Sequence, residues 1–270
     1  TKMQLTNSDT SFGAVTKTIH WVTALLILSA IPLGIIASNM AENLGNPNVI
    51  PTEDMILRTF LLFSLHKTVG IGIFFVALAR IAWAISQPKP GLLNGDNRPE
   101  AWLAETVHWM LYGSLVMVPL SGWVHHAATT GFAPIWWPFG QSLPFIPKDA
   151  NLAETAGTVH YILQWVLIGA IGLHVVGALK HHLIDGDATL RRMLPGRLSA
   201  QPSIDQPGHS LPLIAALVIW GLALGGGVAM GWFSHDTQPQ NTASTVDETA
   251  GEWHVTSGNL DIEIRFLKTN

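Results

Sequence analysis

Residues 156–179 read AGTVHYILQWVLIGAIGLHVVGAL and are almost entirely apolar. The stretch carries no charged side chain and is longer than the roughly 20 apolar residues that a helix needs to cross a bilayer. Two histidines lie in it, His160 and His174, and the step of 174 − 160 = 14 residues is close to four helical turns. Both side chains therefore share one face, about 21 Å apart along the axis. The stretch predicts a transmembrane helix with a histidine near each membrane surface.

The whole chain has the composition of a membrane protein. Of its 270 residues, 48% are hydrophobic and 12% are charged, whereas soluble domains are about a quarter charged. Four more stretches qualify as spans, at residues 19–37, 60–85, 106–124 and 211–233. We therefore predict an all-α transmembrane fold, in which a four-helix bundle is followed by a fifth C-terminal helix. The lipid bilayer is the expected surrounding, and the lack of a basic face argues against a nucleic-acid partner.

The distribution of Lys and Arg predicts the orientation of the bundle. With alternating helix directions, most of these residues fall on the side of the N-terminus: Lys2, Lys17, Arg80, Lys89, Arg98, Lys180, Arg191, Arg192 and Arg197. The loops of the other side, before the fifth helix, hold Arg58, Lys67 and Lys148. Because positive residues are enriched in cytoplasmic loops, we expect a cytoplasmic N-terminus and a periplasmic tail. The polar start at residues 1–18 is unlike a signal peptide, so the first helix is expected to be retained.

Four histidines form two level pairs in this topology. His20 begins the first span and His66 lies near the start of the second, which runs parallel to the fourth. His66 is therefore level with His160, and His20 with His174. The chain has no cysteine, which excludes thiolate-bound clusters and covalently attached haem. We predict that the two pairs are the axial ligands of two b-type haems, which would carry electrons.

Intramembrane histidines also occur in proteins that bind no haem. A single one bonds a neighbouring helix or lines a proton path about as often as it binds a cofactor. A metal transporter also uses paired histidines, but it usually needs carboxylates within its spans, and the interiors of spans one, two and four have none. Two level pairs favour the haem interpretation over both alternatives.

Small and cationic residues near the pairs are candidates for haem contacts. Gly70 and Gly169 would let a flat macrocycle approach the helix backbone, although plain helix–helix contact accounts for them equally well. Lys17, Lys67 and Arg80 are candidates to bind haem propionates. Ordinary snorkelling towards the membrane surface is the competing interpretation of these three side chains.

Two further histidines are candidates for a quinone pocket on the cytoplasmic side. His108 begins the third span, and His181 lies two turns beyond His174 on the same face. We include both among the candidate catalytic residues. The alternative is that they are interfacial histidines near lipid headgroups.

Several short motifs together resemble the bacterial cytochrome b561 family. They are Thr18-Ile19-His20-Trp21, Leu65-His66-Lys67, Glu105-Thr106-Val107-His108, Val159-His160, Gly172-Leu173-His174 and Thr189-Leu190-Arg191-Arg192-Met193-Leu194-Pro195. The resemblance covers residues 11–195 and implies that the same four histidines hold the haems. It also implies a bacterial inner membrane location and ubiquinone as the redox partner. Lys67 then becomes a candidate catalytic residue, because the family's best-understood type oxidises superoxide on the periplasmic side and positive charge attracts that anion.

Two functions follow as hypotheses. The first is a quinone-linked oxidoreductase that exchanges electrons between a periplasmic donor, such as superoxide, and the ubiquinone pool. The second is a non-catalytic cytochrome b subunit that docks by its fifth helix onto a larger membrane redox or photosynthetic complex.

The C-terminal part departs from the family pattern. We divide the chain into a di-haem domain at residues 1–200, a linker with the fifth helix at 201–235 and a periplasmic tail at 236–270. Residues 260–266 alternate apolar and polar side chains, which predicts a strand that needs a partner. Together with residues 252–255 they resemble the opening strand of a YceI-like lipocalin domain. The first outer loop, residues 39–58, is expected to be long.

Overall fold

The computed structural model of the chain describes residues 4–129, 133–234, 252–257 and 260–265. Within these ranges the main elements are five helices. They are α1 (Ala14–Leu44), α2 (Glu53–Ser86), α3 (Arg98–Ala128), α4 (Ala150–Leu183) and α5 (Ser210–Ala229). All five are long and apolar enough to cross a membrane. The predicted all-α transmembrane fold with five spans is confirmed.

The first four helices extend well beyond their apolar centres. α1 continues to Leu44 and α2 begins at Glu53, so the connection expected at residues 39–58 shortens to 45–52. The Thr52 hydroxyl accepts the Met55 N–H at 3.3 Å and thereby caps the start of α2. Hydropathy predicts the part of a helix that lies in lipid, whereas caps of this kind decide where the helix ends.

The helices pack in sequence order. α1 packs on α2, α2 on α3 and α3 on α4, while α5 lies against α3 and α4. The central core draws on all five helices: Ile27, Ala30, Ile73, Ala77, Met110, Leu115, Val118, Leu163, Leu167, Ala170, Ala216 and Trp220. Many other apolar side chains on the outer helix surfaces are exposed, as expected for a bundle that lipid surrounds.

Trp220 fastens α5 to the bundle. Its side chain is 9% exposed, and its indole N–H donates to the Ser114 hydroxyl of α3 at 3.1 Å. The ring occupies the position that a Cβ on Gly113 would need, so only glycine fits there. The fifth helix is thus an integral part of this chain's own bundle.

The N-terminal segment and the connections α2–α3 and α4–α5 meet at one end of the bundle, here called the N-terminal end. Arg192 lies in a short 3₁₀ turn after α4 and is buried. Its guanidinium donates to the carbonyls of Gly91 (2.9 Å) and Thr10 (3.4 Å). A single side chain thus joins three segments that are distant in sequence.

A short hairpin follows the bundle in the chain. β1 (Glu252–Ser257) pairs antiparallel with β2 (Leu260–Arg265), with Trp253 opposite Ile264. The strand expected at residues 260–266 is therefore present, and its partner lies just before it. The domain division and the YceI-like interpretation of the tail stay predictions.

Candidate metal centre

His66 of α2 and His160 of α4 face each other at the end of the bundle opposite the N-terminal end. Their ring centroids are 6.1 Å apart and the rings are perpendicular. His66 Nδ1 donates to the Ala30 carbonyl at 2.9 Å, and His160 Nδ1 donates to the Val118 carbonyl at 2.8 Å. Because a carbonyl oxygen can only accept, each Nδ1 carries the hydrogen and each Nε2 keeps its lone pair. This is the tautomer that a metal-binding Nε2 requires.

The helices that offer these carbonyls, α1 and α3, also supply a glycine beside each ring. A Cβ on Gly34 would lie 2.7 Å from His66 Cε1, and one on Gly122 would lie 3.0 Å from His160 Nδ1. Each glycine stands four residues after the carbonyl that accepts from the histidine, Ala30 in one case and Val118 in the other. One helical turn thus provides both the acceptor and the space for the ring.

His20 of α1 and His174 of α4 form a second pair at the N-terminal end. Their centroids are also 6.1 Å apart, with the rings tilted by 55°. Arg80 of α2 donates to His20 Nδ1 at 3.2 Å and lies 5.3 Å from the centre of the Tyr112 ring. His108 of α3 is close by, since its ring contacts that of His174 at 5.3 Å.

Both pairs have the dimensions of a bis-histidine metal site. Two metal–nitrogen bonds of about 2 Å, plus about 1 Å from each nitrogen to its ring centre, give a centroid distance of roughly 6 Å. At Gly70 and Gly169 an added Cβ would meet no atom within 4 Å, so the backbone is open to a flat ligand at both. Trp123 also has a buried N–H without a partner among the described residues. The residues present fit haem.

Lys67 follows His66 and connects α2 to the loop between α3 and α4 (residues 129–149), here called the aromatic loop. Its ammonium donates to the Ala133 carbonyl at 2.9 Å and lies 3.3 Å from His126 Nδ1. The other nitrogen of His126 is 3.2 Å from the Gln141 side-chain oxygen, which also accepts the Ile135 N–H at 2.7 Å. Polar contacts thereby fix the loop to α2 and α3, next to His66 in the chain.

Aromatic rings close the same end. Trp123 of α3 contacts Trp137 of the loop at 5.0 Å, and both contact Phe75 of α2 at about 6 Å. Phe74 and Phe139 extend this cluster on either side. The rings thus join the loop to α2 and α3, while Phe75 and Phe139 stay partly exposed.

Lys17 and His181 have partners other than the histidine pairs. Lys17 is buried, and its ammonium donates to the carbonyls of Leu194 (3.0 Å) and Gly196 (2.8 Å). His181 contacts Asp187 at 2.7 Å and Asp185 at 3.0 Å through Nδ1, and Glu100 at 3.5 Å through Nε2. Arg80 and His108 are thus the predicted residues that the fold brings to His20 and His174.

Some participants in the site had no usable signal in the sequence. The carbonyls of Ala30 and Val118 are backbone groups, which any residue offers. Gly34 and Gly122 are recognisable only once the facing histidines are known. His126 was visible as a histidine at the end of the third span, but its contact with Lys67 depends on the loop.

Comparison with known proteins agrees with this geometry. Residues 11–196 match the sequence profile of prokaryotic cytochrome b561. Cytochrome b561 homolog 2 of Escherichia coli K12 is 28% identical over 193 residues, which are 71% of this chain and 95% of that protein. A probable superoxide oxidase CybB of Yersinia pestis is 28% identical over 178 residues, 66% of this chain and 92% of the relative. Cytochrome b561 homolog 1 of E. coli K12 is 30% identical over 145 residues, 52% of this chain and 78% of that protein.

The matched region contains α1 to α4, both histidine pairs and the Arg192 turn. It ends before α5, so the fifth helix lies outside the family match. The chain belongs to the prokaryotic cytochrome b561 family, whose members are membrane cytochromes that bind haem b and transfer electrons.

Proposed function

We propose that this protein is a di-haem oxidoreductase that passes electrons from superoxide, at the periplasmic end, to ubiquinone at the cytoplasmic end. The observation that carries the proposal is the pair of equal spacings, 6.1 Å for His66–His160 and 6.1 Å for His20–His174. Two sites of the same dimensions at opposite ends of α4 support two haems. The similarity to a probable superoxide oxidase supports the choice of donor.

The four histidines would hold the two haems, one pair for each. Bound haem would supply one-electron transfer, and two histidines per iron would leave no open position for a substrate. The Ala30 and Val118 carbonyls orient the rings of His66 and His160, so these ligands are held in place by the helices themselves. Gly70 and Gly169 would provide the surfaces on which the macrocycles lie.

Arg80 is our candidate for a propionate partner at the cytoplasmic haem. A guanidinium only donates, so His20 Nδ1 accepts in its present contact with Arg80. A histidine that binds iron through Nε2 carries its hydrogen on Nδ1. Arg80 then needs another acceptor, and a haem propionate is a suitable one. We propose the same role for Lys67 and Lys17, although their ammonium groups already donate to backbone carbonyls.

Lys67 would also attract superoxide. The outer loops hold few cations, and Lys67 lies between His66 and the aromatic loop. A Lys67→Glu variant purified with both haems in place should lose most superoxide-driven quinone reduction at low ionic strength, where steering is strongest. Measuring that rate with Lys148→Glu as the comparison separates the local role of Lys67 from that of net charge. An unchanged rate in Lys67→Glu would refute the role of Lys67 in attracting superoxide.

Ubiquinone would be reduced beside the His20–His174 pair. His108 is our candidate to contact its headgroup, because its ring touches His174 and its Nδ1 donates to the Ala104 carbonyl, which leaves Nε2 as an acceptor. His181 is the second candidate, although three carboxylates surround it. The asymmetry of Lys and Arg supports a cytoplasmic N-terminus in a bacterial inner membrane.

Single His→Ala variants test the ligand assignment directly. His66→Ala and His160→Ala should each lose the same haem, and His20→Ala and His174→Ala should each lose the other. A redox titration of each purified variant, followed in the haem absorption bands, shows which of the two haems has been lost. His182→Ala is the matched control, because this exposed histidine adjoins α4's end without belonging to either pair. Loss of different haems within one pair would contradict the assignment.

The alternative of a subunit docked through α5 has less support. The hydrogen bond from Trp220 of α5 to Ser114 of α3 already binds the fifth helix to its own chain. Purification in mild detergent separates the two functions. A single species that reduces quinone with superoxide supports the enzyme, whereas stoichiometric co-purification with a larger redox complex supports the subunit.

A further inference from the structure

Glu105 is a buried carboxylate at the N-terminal end of the bundle. It lies in the second turn of α3 and is 4% exposed. One carboxylate oxygen accepts from the Lys89 ammonium at 2.6 Å, and the other contacts His209 Nδ1 at 3.0 Å. The side chains of these two partners are 55% and 59% exposed. A carboxylate inside the bundle is thus in direct contact with two groups that reach water.

Glu105 shares a face of α3 with a residue of the candidate site. His108 lies three residues further along α3, so the two side chains are neighbours on one helix face. The His108 ring in turn contacts His174. Charged and titratable groups therefore meet Glu105 from three segments: Lys89 from the α2–α3 connection, His209 from the residue before α5, and His108 from its own helix.

Stability gives a weak reason for a carboxylate in this position. A buried ion pair often contributes nothing compared with apolar residues of the same size, because both charges lose their hydration. α5 is already held by the Trp220–Ser114 contact. An ionisable group buried beside a membrane span is a candidate for a functional role.

We propose that Glu105 is the proton-transfer residue through which protons from the cytoplasmic water enter the quinone site. The inference rests on the proposed quinone reduction. One ubiquinone becomes ubiquinol by taking two electrons and two protons. Two superoxide anions supply the electrons and leave as two O₂ molecules, so the protons must come from water. The Glu105 carboxylate takes each proton from His209, which regains it from solvent, and releases it towards the site.

Glu105→Gln tests this role while keeping the size of the side chain. Two rates are measured between about pH 6 and about pH 9: the reduction of haem by superoxide and the formation of ubiquinol. A positioned proton-transfer group typically accelerates a reaction by about 10²-fold or more. We expect both haems and the haem reduction rate to be retained. Ubiquinol formation should fall by about 10²-fold, with a changed pH profile. Asp96→Asn, which removes an exposed carboxylate from the same end, should leave both rates unchanged.

Two further measurements guard against a variant that merely disturbs the fold. Glu105→Asp should recover part of the ubiquinol rate, because it restores the carboxylate. In proteoliposomes that contain a pH dye, wild-type protein should take up protons on the side of the N-terminus, and Glu105→Gln should do so more slowly. Retention of the wild-type ubiquinol rate at every pH in Glu105→Gln would overturn the role of Glu105 alone. A wild-type protein that forms no ubiquinol would overturn the proposed function, and this inference with it.

Discussion

His66 of α2 donates its Nδ1 hydrogen to the backbone carbonyl of Ala30 in α1, with 2.9 Å between nitrogen and oxygen. The carbonyl belongs to a regular helix and has a second lone pair for this bond. Gly34, one turn further along α1, leaves space for the imidazole. α3 repeats the arrangement for His160 with Val118 and Gly122. The orientation of both rings is thus set by helix backbone and by the absence of a side chain.

Gly34→Ala should therefore disturb the His66–His160 pair. The added Cβ would lie 2.7 Å from His66 Cε1, a distance that forces the ring or the helix to move. We expect loss of one haem of two, measured as the haem-to-protein ratio of the purified protein. Gly221→Ala in α5, where a Cβ meets no atom within 4 Å, is the control. Two haems with an unchanged spectrum in Gly34→Ala would show that the glycine is not needed.

Gly169→Ala should have opposite effects on the protein with and without haem. A Cβ at Gly169 meets no atom of the described residues within 4 Å, so helix propensity alone should stabilise the haem-free protein by up to about 1 kcal/mol. If the macrocycle lies on this surface, the same methyl group should weaken haem binding. Thermal unfolding of the haem-free protein and haem titration together check the prediction. Unchanged haem affinity would show that the macrocycle does not lie on this surface.

The sequence predicted the elements with a periodic signal and missed those that depend on distant contacts. The spacing between His160 and His174 and the alternation of helix direction predicted which histidines approach each other, and the rings do so. These predictions succeed because helix geometry in a bilayer leaves few alternatives.

The contacts of Lys17 could not be predicted from the span pattern. Its position one turn before His20 predicted a propionate partner, yet its ammonium donates to the carbonyls of Leu194 and Gly196. No local pattern reveals that a segment about 180 residues later returns to this point. The contacts of His181 with Asp185 and Asp187 also depend on a turn after α4, which the span pattern does not describe.

Trp220→Ala should loosen the fifth helix from the bundle. The substitution removes a buried ring and its hydrogen bond to Ser114. Trp→Ala costs roughly 3–5 kcal/mol in a soluble core, and we expect the lower end of that range because lipid can fill the gap. Leu222→Ala, at a position that is 70% exposed, is the control. The midpoint of thermal unfolding in detergent should fall for Trp220→Ala alone, and equal midpoints for both variants would contradict the role of Trp220.

Asp187→Asn should destabilise the turn after α4 at neutral pH and have less effect in acid. Burial raises the pKa of the Asp187 carboxyl, but hydrogen bonds from Thr189 and His181 outweigh burial and hold the pKa below its ordinary value. A carboxylate with a lowered pKa stabilises the fold above its ordinary pKa of about 4, and this contribution is lost as the pH falls through the lowered value. We therefore expect a deficit of about 1 kcal/mol in Asp187→Asn at pH 7, typical of one lost hydrogen bond. The deficit should begin to shrink below about pH 4, where the unfolded carboxyl takes up a proton, and should disappear below the lowered pKa, where Asp187 of the folded protein is also neutral. The difference between the thermal unfolding midpoints of wild type and Asp187→Asn, taken at several pH values, measures this deficit. A deficit that stays constant down to the lowest pH would show that the charge of Asp187 does not matter.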